Sequence, residues 1–272
     1  MGLARALSKL GYCSRSQAQR LIRAGHVRVN GAVRRDPEAP VATGRDRIEV
    51  NGTLIRPAAK TYVMLNKPRG LVTTASDEKG RATVYSKLGD DLPWLAPVGR
   101  LDKASEGLLL LTNDSEWAAR VLAPESHLAK TYHVQVSGLA DDGLVGQLIK
   151  GVRLTNGDFL GASDARILRQ GDRNTWLVIV LEEGKNRQIR RIFEGLGIEV
   201  LRLFRVAIGP LTLGELTKGA YRALTKEEKS AIDAAVRISA GNSGPKVDPS
   251  GTGGGKFPTT GRPGPPRGIK KD

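Results

Sequence analysis

The chain has 272 residues, with 43 Lys and Arg against 28 Asp and Glu, a formal charge of +15 with histidine neutral. That length allows one large or two ordinary domains with a real core. A single cysteine, Cys13, excludes an intramolecular disulfide framework and a cysteine-based zinc site, and no run of 18 apolar residues offers a membrane span.

The first elements read as a small module over residues 1–52. Leu3, Ala6, Leu7 and Leu10 fall at helical spacing and Gly11 stops the helix. Ser14 can cap a second helix whose apolar positions are Ala18, Leu21 and Ile22, ending at Gly25. Val27 and Val29 alternate with Arg28, and Asn30-Gly31 is a strong hairpin turn. A short strand, 48–50, runs into a second Asn-Gly pair at 51–52. Residues 1–35 hold eight basic groups and no acidic one, a concentration that favours a polyanionic partner. Residues 53–60 read as a linker, with Pro57 preventing a continuous helix.

From 61 to 236 the pattern is mixed α/β. Strand-like runs at 61–65, 107–112, 131–137 and 176–182 alternate with helical candidates at 83–88, 114–122, 141–150, 187–195 and 226–236. Thr225 and Glu228 form a plausible capping box for the last. Polar residues between the apolar ones at 131–137 and 176–182 favour antiparallel pairing. The absence of G-x-G-x-x-G and G-x-x-x-x-G-K-[ST] leaves nucleotide cofactors without support. Residues 239–272 contain nine Gly and six Pro and are expected to be a disordered basic tail, which the domain reading starts at 237.

The chemistry concentrates in Gly99-Arg100-Leu101-Asp102-Lys103-Ala104-Ser105-Glu106-Gly107, followed by Leu108–Leu111 and Thr112-Asn113-Asp114. Asp102 sits in a polar loop before a buried strand, and Arg100 and Lys103 flank it with charges that favour its ionised form. Glu106 invites a two-carboxylate glycosidase reading, but spacing alone does not place the pair across a sugar. The three histidines, His26, His127 and His133, show no ligand spacing.

This loop resembles the signature of the RsuA/RluB-type pseudouridine synthases, which isomerise uridine in ribosomal RNA. Asn66-Lys67-Pro68-Arg69-Gly70 is similar to the family's N-K-P-x-G opening, Lys130-Thr131-Tyr132 to its K-T-Y segment, and residues 183–191, EGKNRQIRR, to its E-G-K-x-R-Q-I-R-R motif. The start, SKLGYCSRSQAQRLIRAGHVRVNG, resembles an S4 RNA-binding domain. The match covers roughly residues 3–236. It departs at Lys103-Ala104-Ser105, where the family often carries an acidic residue or Thr.

The resemblance implies that Asp102 is the catalytic carboxylate, acting at C1′ or C2′ of a flipped-out nucleotide. It implies that Tyr132 packs against the target base and helps remove the C5 proton, and that Arg190 pairs with Asp102. Arg100 is the candidate to fill the vacated space, since a guanidinium stacks and hydrogen-bonds at once. Lys67, Lys185, Arg187, Gln188 and Arg191 are expected to contact RNA in the catalytic domain. Ser14, Arg15, Arg20 and Arg23 are expected to anchor it in the S4-like module, with the start of the second helix offering N–H groups to phosphate.

The expectation is therefore an α+β protein: an S4-like module (1–52), a linker (53–60), a catalytic domain around an antiparallel sheet (61–236) and a disordered tail (237–272). It would be a cytoplasmic monomer without metal, nucleotide or other cofactor and without a membrane partner. Its partner would be ribosomal RNA or a pre-ribosomal particle, with 23S RNA favoured over 16S. A noncatalytic RNA-binding assembly protein is the alternative of a different class.

Overall fold

The computed structural model describes residues 1–241 apart from Ser76 and Glu78, with side chains described as far as residue 237. The first module opens with α1 (Leu3–Lys9) and α2 (Arg15–Arg23), whose buried faces carry Leu3, Ala6, Leu7, Ala18 and Ile22. Helix α2 starts with a reciprocal cap. The Gln17 N–H donates to Ser14 Oγ (3.2 Å) and the Ser14 N–H to Gln17 Oε1 (3.0 Å), satisfying two otherwise orphaned donors.

Strands β1 (Val27–Val29), β2 (Ala32–Arg34), β3 (Ile48–Val50) and β4 (Thr53–Leu54) make an antiparallel sheet in the order β2-β1-β3-β4. Asn30 and Gly31 turn from β1 to β2 at φ +53° and +83°, the double left-handed geometry of a type I′ turn. Strand β4 corrects the sequence reading, which gave Thr53 and Leu54 to the linker. The remaining linker residues are docked onto both sides: the Ala58 N–H donates to the Leu10 carbonyl (3.0 Å), and Asn113 Nδ2 to the Ala59 carbonyl (2.8 Å). Lys9 reaches Glu116 (2.8 Å), and the Trp94 N–H donates to the Gly11 carbonyl (3.1 Å).

The rest of the described chain runs β5 (Tyr62–Lys67), β6 (Ala96–Val98), β7 (Glu106–Thr112), α3 (Ser115–Leu122), β8 (Lys130–Ser137), α4 (Asp142–Lys150), β9 (Val152–Arg153), β10 (Phe159–Leu160), β11 (Asp164–Gln170), β12 (Asn174–Leu181), α5 (Gln188–Gly195), β13 (Val200–Ile208), β14 (Leu211–Thr212), β15 (Tyr221–Ala223) and α6 (Lys226–Gly241). Where the sequence suggested a helix at 83–88 there is a short 3₁₀ turn, Val84–Lys87. Helix α6 begins with the expected Thr225–Glu228 box and continues to Gly241, past the residue where the tail was expected to begin. The remainder of that tail lies outside the described residues.

A nine-stranded sheet in the order β11-β12-β8-β13-β7-β5-β15 forms the centre, with β14 added to β13 and β6 to β7. Pairing is antiparallel throughout except between β13 and β7, where Phe204 and Arg205 lie parallel to Glu106 and Gly107. Gly107 fits there because it lacks a side chain: its φ is +101°, and a Cβ would stand 2.2 Å from the Arg205 carbonyl oxygen.

The alternation along β5 and β7 sends residues to two faces. Val63, Leu65, Leu109 and Leu111 pack on one, and Met64, Leu108 and Leu110 on the other, under Trp117 and Val121 of α3 and Ile232 of α6. Helices α4 and α5 cover the β11–β13 half on the first face through Leu148, Ile189, Ile192 and Phe193. Among the described residues no helix is long and apolar enough to cross a membrane.

Candidate active site

Asp102 lies in the loop entering β7, and that loop is held by its backbone. Five consecutive carbonyls have fixed donors. Thr73 Oγ1 donates to Leu101 O (2.7 Å), the Ser105 N–H to Asp102 O (2.9 Å), the Gly70 N–H to Lys103 O (2.7 Å) and Arg190 Nη2 to Ala104 O (3.1 Å). Lys67 Nζ donates to Ser105 O (2.8 Å), and also to Asp102 O (3.1 Å) and Pro68 O (3.2 Å). A side chain pre-placed in this way can meet a bound molecule without the cost of first being ordered.

The Asp102 carboxylate itself is 22% exposed, and Arg187 Nη1 stands 3.5 Å from its Oδ2. Arg187 occupies the N-cap of α5 in a left-handed conformation, φ +48°. This corrects the expected pairing with Arg190, whose guanidinium is tied instead to the carbonyls of Ala104 and Val200 (3.3 Å). Arg190 still feels Asp102 electrostatically. Burial and then the charge of Arg187 lower its pKa, Asp102 acts the other way, and Arg69 adds a third cation to the neighbourhood. Arg69 is exposed and was passed over in the sequence because it fills the variable position of N-K-P-x-G.

Tyr132 is half-buried on β8, level with Ile179 on β12 and Arg205 on β13. It touches the apolar clusters on both sides, including the one containing Leu101 and Leu109. It therefore shares a sheet face with the residue preceding Asp102. Arg100 is exposed and makes no hydrogen bond or ion pair to any described residue.

Several residues expected to touch RNA are otherwise engaged. Lys67 is wholly buried beneath the loop, because its ammonium supplies three donors to three carbonyls. Gln188 is buried, donating to the Gly161 carbonyl (2.9 Å) and to Glu183 (3.0 Å) and accepting from the Lys185 N–H. Ser14 is buried and spent on capping α2. Arg191 is paired with Asp158, and Lys185 with Glu183 (3.0 Å) while staying half-exposed. Arg15, Arg20 and Arg23 are exposed on α2 with no ion pair among the described residues, as an electrostatic RNA anchor requires.

The two-carboxylate reading fails on Glu106. Its side chain is 3% exposed and held by Lys218 (2.6 Å) and Arg202 (3.2 Å). Burial is the largest influence and raises its pKa, but the two cations outweigh it and the net shift is downward, away from what a general acid needs. Among the described residues no three His, Cys, Asp or Glu side chains gather as a metal site.

The Lys67 clamp should make activity sensitive to alkali. Burial lowers its pKa from 10.5 to about 8, with Asp102 and Glu106 opposing the shift. Between those values the folded protein has released a proton that the unfolded chain retains, so this group alone favours folding as pH rises. The loop loses by the same event, because a neutral amine has two N–H donors for three carbonyls. A pH–rate profile should show kcat/KM falling above about pH 8, and a Lys67→Met protein should be slower and lack that limb. A wild-type profile flat to pH 9.5 would contradict the clamp.

Comparison with known proteins agrees in both halves. A family model for RNA pseudouridylate synthases matches residues 61–195, and one for the S4 domain matches residues 1–48. The ribosomal large subunit pseudouridine synthase B of Bacillus subtilis is 37% identical over 233 residues, 85% of this chain and 95% of that protein. An uncharacterized RNA pseudouridine synthase of Aquifex aeolicus is 38% identical over 233 residues, 85% of this chain and 93% of its own length. A crystal structure of a pseudouridylate synthase superposes with a TM-score of 0.60 at 30% identity, covering 85% of this chain and 99% of that one.

Proposed function

The chain belongs to the RsuA/RluB family of RNA pseudouridine synthases with an S4 domain, and from that premise we propose that it converts a specific uridine of 23S ribosomal RNA. The observation that carries this choice is the similarity, over 95% of its length, to a synthase named for the large ribosomal subunit. The noncatalytic reading falls away with membership of an enzyme family.

In the proposed mechanism Asp102 acts at the ribose of the target. The C1′–N1 bond breaks, the uracil turns, and C1′ bonds to C5; the proton on C5 leaves and N1 gains one, so the product is an isomer. The carboxylate either attacks C1′ or removes a proton from C2′, and Arg187 orients it. Tyr132 supports the base and assists loss of the C5 proton. Arg190 holds the loop through Ala104 O and adds positive charge beside Asp102. Extruding the nucleotide costs a few kcal/mol, which Arg100 offsets by occupying the gap. Arg15, Arg20 and Arg23 hold the RNA by its phosphates, joined on the catalytic side by the exposed Arg69.

In this reading the enzyme is a cytoplasmic monomer acting on free rRNA or a pre-ribosomal particle. The test is to map pseudouridine in rRNA from cells with and without the gene, and to incubate the purified protein with 23S and 16S transcripts. One 23S position should lose its pseudouridine on deletion and regain it in vitro. Loss confined to 16S RNA would move the assignment to the small subunit, and no change in either would overturn it.

A further inference from the structure

The sheet face opposite Tyr132 is covered by α3 and α6 only as far as Phe204, which packs against their cluster. Beyond it, the register places Arg169, Trp176, Gln135 and Arg202 side by side across β11, β12, β8 and β13. The adjoining row runs Arg166, Val178, His133 and Phe204. Together they leave a pocket of about 420 Å³, lined by His133, Leu168, Arg169, Trp176, Arg202 and Phe204. Trp176 and Phe204, both half-buried, meet here.

From this arrangement we propose a second RNA contact, in which an unpaired nucleotide outside the catalytic cleft stacks its base on Trp176 while guanidinium groups take its phosphates. The proposal rests on RNA being the substrate and extends that reading to a new surface. The Arg169 and Arg202 guanidinium carbons stand 5.3 and 5.8 Å from the Trp176 ring centroid. Both cations lie over the indole, so an entering base takes the place of one guanidinium on the ring while that guanidinium turns to the phosphate. Arg202 is held from behind by Glu106, at 3.3 Å from Nε and 3.2 Å from Nη2. Arg166 and Arg169 are exposed on the edge strand with no ion pair among the described residues. Burial, together with Arg166 and Arg169, lowers the pKa of His133, so its imidazole presents one donor and one acceptor at the pocket edge. No acidic side chain lines the pocket. An acidic peptide would satisfy the arginines but carries no ring to take their place over the indole.

The probe is a labelled ten-nucleotide oligoadenylate, which contains no uridine and cannot be held as substrate. Titrated onto the full-length protein, it should quench tryptophan emission, and an azido-adenosine version should crosslink within residues 164–181. Trp176→Thr, which keeps a strand-forming residue, should weaken this binding about fivefold or more, and the exposed Arg169→Ala should weaken it by a smaller factor. Both should turn over saturating 23S transcript at the wild-type kcat. Unchanged affinity in Trp176→Thr, with crosslinks mapping elsewhere, would overturn the proposal. Should that variant misfold, unchanged affinity in Arg169→Ala with crosslinks elsewhere would do the same. Displacement of the probe from Trp176 by oligoglutamate at equal concentration would transfer the surface to an acidic protein partner. Binding of oligoadenylate at Trp176 by an enzyme inert on 23S RNA would overturn the substrate assignment and leave this contact standing.

Discussion

Replacing Asp102 by asparagine is expected to leave a folded, RNA-binding protein that has lost at least about 10³-fold in turnover, within the range that a positioned acid–base group supplies. The geometry separates the two effects. The loop is held through the carbonyls of residues 101–105 by Thr73, Lys67, Gly70, Ser105 and Arg190. The carboxylate contributes only the 3.5 Å contact with Arg187 to that scaffold. Asparagine matches its shape and hydrogen-bonds Arg187 through its amide oxygen, but it neither attacks a sugar carbon nor accepts its proton. Release of label from C5-tritiated uridine in a 23S transcript measures the chemistry, and thermal unfolding measures the fold. A variant within tenfold of wild type would remove Asp102 from the mechanism.

The largest effect on stability is expected at Gly107. Alanine there combines a φ of +101° with a Cβ placed 2.2 Å from the carbonyl oxygen of Arg205 and 2.9 Å from its nitrogen. Both obstacles are backbone atoms of β13, which is fixed by its antiparallel pairing with β8 along most of its length. Relief therefore requires the β7–β13 junction to open, so Gly107→Ala should cost more than about 3 kcal/mol. Thermal unfolding should register this as a fall of roughly 6–12 °C or more. Gly146→Ala is the control. That residue lies within α4 with no positive φ and nothing within 4 Å of a new Cβ, and alanine should stabilise the helix by up to about 1 kcal/mol. Equal melting temperatures for the two variants would contradict the account of the junction.

What the sequence displayed and what it hid follow from where each signal resides. Local chemistry was legible: Ser14 at a helix start, Asn30-Gly31 at a turn, Thr225 and Glu228 at the last helix, and the apolar run of β7. Strand β13 went unread although it joins the two halves of the sheet, because Arg202 and Arg205 interrupt its apolar pattern. Arg205 is nevertheless buried, its Nε donating to the Leu108 carbonyl (2.8 Å). The motif residues near the site were recognised, but their direction was not. In EGKNRQIRR, one polar side chain, Gln188, turns inward while Arg187 meets Asp102. Lys67 misled in the same way, since a lysine that serves carbonyls looks in sequence like one that serves phosphate. Carbonyls carry no sequence signal, so a loop fixed through them leaves no trace in its own letters.

That last property has an evolutionary side. Donors to main-chain oxygens are indifferent to the side chains those residues bear, so Lys103 and Ala104 are free to drift without displacing the acid before them. The departure from the family pattern at 103 and 104 therefore leaves the loop's anchoring untouched, whereas Ser105 is buried. Substrate preference can be retuned at the rim of the cleft while the chemistry beneath is inherited unchanged.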